Sequence, residues 1–210
     1  MKRMVLFASS MLVSSFALQT PSSAASAAAS PIPPAPLVGS IDAHPAWPAP
    51  KNAGDVDTVE HLISALYDVI SGPAGQPRDW DRFRALFLPD GRLGVIRPST
   101  PAKDDQPAKM GDAVFRTPDM YIERNDGYLK THGFFERGIA NRVEEFGNLV
   151  HVWSTYESRH ALTDSMPFAR GINSIQIVHA RDRYWLASIM WDDERPGLTL
   201  PEKYLPSKVP

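Results

Sequence analysis

Cysteine is absent from the 210-residue chain, and this absence removes several classes of structure. Neither a disulfide nor a lipid-modified N-terminal cysteine is possible, so a folded domain must be held together by its core alone. The chain also lacks an H-E-x-x-H motif, a serine nucleophile elbow and a phosphate-binding glycine loop, and its six histidines show no ligand spacing. We therefore expect no metal site and no cofactor.

An excess of basic charge is also missing. The chain has 22 lysines and arginines against 24 aspartates and glutamates, which gives a formal net charge of −2. Removal of Lys2 and Arg3 with a cleaved N-terminal segment would leave 20 against 24, or −4. A net negative charge argues against binding to nucleic acid or to an anionic membrane. The 43% hydrophobic composition suits one soluble domain with tails.

The first 27 residues have the organisation of a secretory signal peptide. Lys2 and Arg3 precede an apolar stretch at residues 4–18, and small residues ending in Ala25-Ser26-Ala27 follow. The apolar stretch is too short and too rich in serine for a membrane span, and a buried N-terminal helix is the alternative interpretation. We predict cleavage near Ala27, no membrane anchor, and a periplasmic or secreted protein.

Proline sets the expected domain boundaries. Residues 28–54 are so rich in proline that neither helix nor sheet can persist, which predicts a disordered linker after the signal peptide. Trp47 within this linker could fold back onto the domain, but we expect it to be exposed. The ordered domain is expected at residues 55–195, and residues 196–210 form a C-terminal tail.

Three helices are predicted ahead of the strands. In "DVDTVEHLISALYDVISGP" the apolar residues fall at helical spacing, with Asp57 as the cap and Gly72-Pro73 as the end. Asp79 caps a second, short helix in "RDWDRFRALFLPDGRLGVI", and a strand follows it. A polar, proline-studded surface loop comes next. Thr117 then caps a third helix, with proline at its first position.

Beyond Phe134 the chain is predicted to form strands only. Four segments are rich in β-branched and aromatic residues, which predicts an antiparallel meander. These segments are residues 134–146, 148–160, 167–179 and 184–193. If His160 pairs with Pro167 and His179 pairs with Tyr184, alternation assigns each residue to one of two faces.

The two predicted faces have different compositions. We expect one face to be the inner wall of a cavity, and it carries His151, Trp153, Glu157, Arg170 and Trp191. The other face carries Val150, Val152, Tyr156, Ile175, Ile177, Leu186 and Met190. This second face is too apolar for water in a monomer, so we expect it to be the outer face and to be covered by a second copy.

The order of these elements resembles the nuclear transport factor 2-like superfamily, and in particular its SnoaL-like branch. The resemblance covers roughly residues 55–194 and includes "RDWDRFRALFLPDGRL" after the first helix and "RYWLASIMWDDE" in the last strand. It implies an α+β fold, a cone-shaped barrel of a curved antiparallel sheet closed by about three N-terminal helices. It also implies a cavity between the helices and the sheet, and commonly a homodimer through the outer sheet face.

Two enzyme groups of this superfamily offer motifs for comparison. Steroid isomerases carry a catalytic aspartate where this chain reads Gly94-Val95-Ile96, so that chemistry is disfavoured. Scytalone dehydratases are similar in having a D-W-D-R segment and a histidine after the third helix, as at residues 79–82 and His132 here. Their Tyr-Asp pair resembles Tyr67-Asp68 with a longer gap, and their sheet histidine would fall near Arg170 or Gly171. Half of that constellation is missing or displaced.

The candidate site residues each have a structural alternative. His132 and His151 are the candidate catalytic bases, because imidazole titrates near neutral pH. A capping or surface role is the alternative for His132, and a bond to a backbone carbonyl is the alternative for His151. The candidate ligand-binding residues are Trp153, Glu157, Arg170, Trp191 and Tyr121. Glu157 and Arg170 could instead form a structural ion pair, and the tryptophans could be core.

Two functions follow from these observations. The first is an exported domain that binds a small, mostly apolar molecule in its cone. The second is a cofactor-free lyase or isomerase of the dehydratase type, acting on a small polyketide- or steroid-like substrate. The incomplete catalytic constellation favours the first, and the sequence leaves open whether the protein is an enzyme.

Overall fold

The computed structural model describes residues 39–100 and 109–207. The expected signal peptide and the first part of the expected linker lie outside these residues. Within the described residues the chain forms three α-helices and six β-strands. The helices are α1 (Val59–Ile70), α2 (Trp80–Leu86) and α3 (Pro118–Thr131). The strands are β1 (Phe87–Arg97), β2 (Asp112–Arg116), β3 (Phe135–Phe146), β4 (Leu149–Arg159), β5 (Ala169–Ala180) and β6 (Arg183–Asp193).

Side-chain caps begin all three helices. The Asp79 carboxylate accepts a hydrogen bond from the Arg82 backbone N–H at 3.0 Å, which confirms the predicted start of α2. Thr117 caps α3 in the same way, also as predicted. The cap of α1 is Thr58 rather than Asp57, because the Thr58 hydroxyl reaches the backbone N–H three residues on. Asp57 instead contacts the imidazole of His61 at 2.6 Å.

The six strands form one curved sheet in the order β2-β1-β6-β5-β4-β3. Neighbours are antiparallel except β1 and β6, which run parallel. The sheet is not closed by hydrogen bonds, so β2 and β3 are its two edges. Strand β2 was not predicted, because five mostly exposed residues after a proline-rich loop give no periodic apolar signal.

The predicted register is correct up to a β-bulge. Glu157 lies opposite Arg170 and His179 lies opposite Tyr184, as predicted. The β5–β6 register then shifts by one residue beyond Ile177. A shift of one residue exchanges the two faces of a strand. Trp191 therefore lies opposite Asn173 and on the same face of the sheet.

The predicted inner and outer faces are reversed. Val150, Val152, Ile175, Ile177 and Leu186 are at most 3% exposed and pack in one core with the residues of α1. Burial against the helices of the same chain removes this apolar surface from water without a partner. The prediction that a second copy covers this face is therefore wrong. A dimer through the true outer face stays a prediction.

Part of the outer face is covered by the C-terminal segment of the chain. A short 3-10 helix, Glu202–Tyr204, lies near β3 and β4. The Thr155 hydroxyl donates to the Tyr204 carbonyl at 2.6 Å, and the rings of Trp153 and Tyr204 are 5.6 Å apart. The tail thus shields side chains that would otherwise face water.

Trp47 is part of the folded domain. Its indole N–H donates to the Phe87 carbonyl at 3.0 Å, and its ring packs against the hydrophobic core. The expectation that Trp47 is exposed is therefore wrong. A buried indole needs both apolar contact and a hydrogen-bond acceptor, and the start of β1 supplies both.

The D-W-D-R segment has a structural role. Besides the cap at Asp79, the Trp80 indole donates to the Asp126 carboxylate at 2.7 Å and ties α2 to α3. Arg82 pairs with buried Asp55 at 2.8 Å, and this bond holds the pKa of the Asp55 carboxyl below its ordinary value. These contacts confirm the interpretation of the segment's acids as cap and helix residues.

Candidate functional site

A cavity of about 330 Å³ lies between the helices and the inner face of the sheet. Its apolar walls come from α1, α2, α3 and the sheet, and they include Leu66, Ile70, Phe83, Tyr121, Leu129, Leu93 and Ile189. Concave, mostly apolar cavities of this size suit small organic molecules. The polar groups in its lining then decide what the cavity does.

Glu136, the second residue of β3, places a carboxyl group in this cavity. The Ser158 hydroxyl on the neighbouring strand donates to its Oε2 at 2.8 Å. Burial among apolar side chains raises the pKa of Glu136 from 4.5 to about 7, and the nearby charge of Asp193 adds to the rise. A carboxyl group that is half-ionised near neutral pH can donate or accept a proton.

Tyr156 and Asp193 form a second polar pair in the cavity lining. The Tyr156 hydroxyl donates to the Asp193 carboxylate across Gly171. A Cβ at Gly171 would lie only 2.5 Å from the Tyr156 oxygen, so glycine is required for this contact. Burial raises the pKa of Tyr156 far above its ordinary value, and Asp193 raises it further. The hydroxyl therefore keeps its proton.

Three buried side chains and the exposed Asn141 form a hydrogen-bonded chain beside the cavity, the Tyr67 cluster. Asn173 donates to the Tyr67 oxygen at 3.1 Å, and Ser154 donates to Asn141 at 2.6 Å. The Tyr67 and Ser154 oxygens are 2.6 Å apart, and since the Ser154 proton goes to Asn141, Tyr67 donates to Ser154. Burial also raises the pKa of Tyr67, so the whole cluster is neutral.

A polar groove between α1 and β3 meets the cavity at Glu136. The groove is lined by Glu60, Ser64, Asp68, Gln76, Arg137 and Arg159, among others. The neighbouring residues Phe135 and Arg137 line the groove alone, and Ser71 of the groove bonds the Glu136 backbone. Glu136 is therefore the residue at which the two spaces adjoin.

The structure separates the sequence-predicted ligand residues into two groups. Tyr121 and Trp191 line the cavity. Trp153 lies on the outer face, in a different groove between the sheet and the C-terminal segment. That outer groove is about 360 Å³ and is mostly apolar. The single-residue shift in β6 explains why Trp191 and Trp153, predicted on one face, lie on opposite faces.

Glu157 and Arg170 do not pair with each other, although they are opposite in register. The Glu157 carboxylate lies 2.6 Å from Arg137 and also contacts Arg159. Arg170 pairs with Glu194 at 3.4 Å. Neither residue lines the cavity. Both belong to ion pairs that join neighbouring strands.

The two candidate histidines lie outside the cavity. His132 is exposed at the end of α3, where its ring stacks on Tyr128 at 4.2 Å. His151 contacts the Ser174 hydroxyl at 3.1 Å and the edge of Trp153. The surroundings of His132 agree with the structural alternative, whereas His151 contacts a hydroxyl rather than the expected backbone carbonyl. A catalytic role of either histidine stays a prediction that nothing tests. In the cavity the titratable group near neutral pH is Glu136.

Sequence reasoning did not find Glu136. Its local signal is weak, since "FFERG" is an ordinary strand start that matches no motif. The features that define the site are its contact with Ser158, 22 positions away, and the charge of Asp193. The spacing of Phe134 and Glu136 was the one available clue, because residues two positions apart on a strand share a face.

The described residues were also searched for metal and membrane features. Within residues 39–100 and 109–207, no group of three or more His, Asp or Glu side chains could hold a metal ion. In the same ranges no helix is long and apolar enough to cross a membrane.

Comparison with known proteins gives structural likeness only. No protein-family model and no curated protein matches the chain. An uncharacterised protein with a cystatin-like fold from Caulobacter vibrioides is similar with a TM-score of 0.48 and 16% identity, over 70% of this chain and 93% of that one. An NTF-2 like protein of unknown function from Silicibacter pomeroyi DSS-3 has a TM-score of 0.41 and 9% identity, over 65% of this chain and 92% of that one.

A further similar structure is a protein provisionally identified as a scytalone dehydratase, from Novosphingobium aromaticivorans DSM 12444. It has a TM-score of 0.39 and 15% identity, over 55% of this chain and 71% of that one. These likenesses concern the fold alone. The resemblance to the nuclear transport factor 2-like superfamily, and to its SnoaL-like branch, stays a prediction.

Proposed function

We propose that this domain binds a small, mostly apolar molecule in the cavity beneath its helices. The observation that carries the proposal is the cavity itself, about 330 Å³ with aliphatic and aromatic walls and a carboxyl group inside. Removal of apolar ligand surface from water supplies the affinity. The Glu136 carboxyl and the Asn173 amide, which also line the cavity, would fix the ligand's orientation through hydrogen bonds.

Binding of N-phenyl-1-naphthylamine, a neutral apolar dye that fluoresces in apolar surroundings, tests this proposal. The matched variants are Phe168→Ala at the cavity rim and Trp153→Ala in the outer groove. Phe168 is 49% exposed, so its truncation leaves the core intact. We expect Phe168→Ala to weaken binding by about tenfold and Trp153→Ala to leave it unchanged. The reverse pattern would place the ligand in the outer groove and contradict the proposal.

A second candidate function is a cofactor-free lyase or isomerase, and the environment of Glu136 favours it. When ionised, Glu136 can take a proton from a carbon next to a carbonyl group, which leaves an enolate and a protonated carboxyl. The same carboxyl can then return a proton to carbon.

Deuterium exchange into 2-tetralone, a small apolar ketone with acidic C–H bonds, tests this second candidate. In heavy water the wild-type protein is expected to speed exchange at least about a hundredfold over Glu136→Gln, a typical contribution of a positioned base. His132→Gln and His151→Gln serve as comparisons for the two histidines predicted from the sequence. Equal exchange by the wild type and Glu136→Gln would remove the candidate while leaving the binding function in place.

We also propose export and cleavage near Ala27, on the strength of the N-terminal sequence. Intact-mass measurement of the mature protein from the periplasm or the medium tests this. The expected mass begins near Ala28, and a product that retains Met1 in the cytosol would contradict it.

A further inference from the structure

Two arginines in the cavity lining have no partner within the described residues. Arg116 and Arg124 both line the cavity. Neither guanidinium group forms a hydrogen bond or an ion pair with residues 39–100 or 109–207. Other arginines of the domain are tied down, such as Arg82 on Asp55 and Arg137 on Glu157. The two free guanidinium groups therefore differ from the usual arginine of this fold.

These two arginines bring positive charge to the cavity lining from an edge strand and from a helix. Arg116 ends β2, which is one edge of the sheet, while Glu136 lies on β3, the other edge. Four strands separate them, each spaced by about 4.8 Å along the curved sheet. Arg124 lies on α3, six residues after that helix begins, and is exposed. The cavity lining thus includes guanidinium groups on β2 and α3 and a carboxyl group on β3, among apolar walls.

Aromatic side chains form part of the cavity rim. Tyr128 and Phe168 line the cavity and are 44% and 49% exposed, which marks them as part of its rim. Two like charges close to the same chamber are unfavourable unless an anion lies between them. Arginine binds carboxylates through paired N–H donors in a fixed planar geometry. The lining offers no such carboxylate bonded to Arg116 or Arg124 among the described residues.

We propose that the ligand of this cavity is an amphipathic carboxylic acid, with an apolar ring system between the walls and its carboxylate bound by Arg116 and Arg124. This inference rests on the proposed binding function and names the chemical class of the ligand. Arg116 and Arg124 are then the residues that select an anionic ligand over a neutral one. The negative net charge of the chain does not oppose this, because selection depends on local contacts.

Calorimetric titration with 1-naphthaleneacetate and with its neutral amide, 1-naphthaleneacetamide, tests the inference. The two compounds share a ring system and differ in the charged group. We expect the wild-type protein to bind the acetate at least about tenfold more tightly than the amide, with a preference that falls at high salt. In the double variant Arg116→Gln/Arg124→Gln the preference should fall below about twofold, with amide binding retained.

Arg142→Gln is the matched control, since Arg142 is an exposed arginine on β3 that does not line the cavity. It should keep the full preference for the acetate. Equal binding of acetate and amide by the wild type, or a preference that survives in the double variant, would overturn the inference while leaving the binding function intact. If neither naphthalene compound nor the neutral dye binds, both the inference and the binding function fail.

Discussion

Two groups of buried polar side chains lie side by side under the helices, and they are built differently. In the Tyr67 cluster every link of the chain from Asn173 to Asn141 is a hydrogen bond between protein groups. Tyr67, Ser154 and Asn173 are at most 6% exposed. A buried polar network of this kind stabilises a unique fold because each member satisfies its neighbour.

The Glu136 carboxyl is in the opposite situation. Among residues 39–100 and 109–207 it has one hydrogen-bond donor, Ser158, for two oxygens, and it lines an open chamber. An ionised carboxylate would normally find more partners when buried, and here it shifts its pKa instead. The difference separates a closed network that holds structure from an unsaturated group that is free to act on a ligand.

The largest expected effect comes from Glu136→Gln, because it removes the cost of ionising a buried carboxyl. The folded-state pKa of about 7 lies above the ordinary 4.5, so the unfolded chain ionises first as pH rises. Wild-type stability therefore falls between these two pH values and is lowest above about 7. We expect the variant to match the wild type near pH 4 and to be about 3 kcal/mol more stable near pH 8.

Urea unfolding of both proteins at several pH values measures this difference. Glu145→Gln is the control, since Glu145 lies on the same strand, is exposed, and should show no such trend. A stability difference between wild type and Glu136→Gln that does not change with pH would show that Glu136 is not held in an unfavourable environment.

Tyr67→Phe should break the closed network. The Asn173 amide loses its acceptor and the Ser154 oxygen loses a donor, which costs about 1–3 kcal/mol of the free energy of unfolding. Because the cluster is neutral, this loss should be the same near pH 5 and near pH 8. Tyr184→Phe is the control, as no hydrogen bond of its hydroxyl occurs within the described residues. A pH-dependent loss would contradict the distinction between the two groups.

Two glycines differ in how closely their surroundings pack, with close contacts at Gly171 and open space at Gly127. Gly171→Ala would push a methyl group against the Asp192 backbone carbonyl and against Tyr156. It should cost about 1–3 kcal/mol and displace the Tyr156 hydroxyl from Asp193. Gly127→Ala, on α3 with nothing within 4 Å, should stabilise the fold by up to about 1 kcal/mol. Thermal unfolding of the two variants shows whether each is less or more stable than the wild type. A change in the same direction for both would contradict the difference in packing at the two glycines.

The smallest effects are expected at the two histidines. His132→Gln and His151→Gln change groups at the end of α3 and on the outer face, away from the cavity. Each should alter dye affinity by less than about twofold and stability by less than about 0.5 kcal/mol. A large loss of affinity in His151→Gln would point instead to the outer face as the ligand site.

Much of the fold could be predicted from local signals. Caps at Asp79 and Thr117 act over three residues, and the turn after His179 fixes its pairing with Tyr184. The change of face along β6 could not be predicted, because the bulge near Ile177 leaves no mark in the alternation on either side. This shift separates Trp191 from Trp153. The reversal of the inner and outer faces is a separate error, since Val150 and Ile175 lie on strands whose pairing was predicted correctly.

The candidate site was harder to predict than the fold. Tyr121 and Trp191 were found because large aromatic side chains on predicted elements are natural cavity walls. Glu136 was missed because its properties come from burial and from Ser158, neither of which a single sequence reveals. Histidine attracts attention in a sequence because imidazole as a group titrates near neutral pH. In this cavity the environment instead raises the pKa of a glutamate to about 7.

The most direct test of this account is a titration of the Glu136 side-chain carboxyl by ¹³C NMR, with Glu136→Gln used to assign its resonance. The account predicts a midpoint near 7 in the ligand-free protein, well above the ordinary 4.5. A midpoint close to 4.5 would mean that water reaches and solvates the carboxylate freely. Glu136 would then be an ordinary surface acid, and the central claim of a poised carboxyl in an apolar cavity would be contradicted.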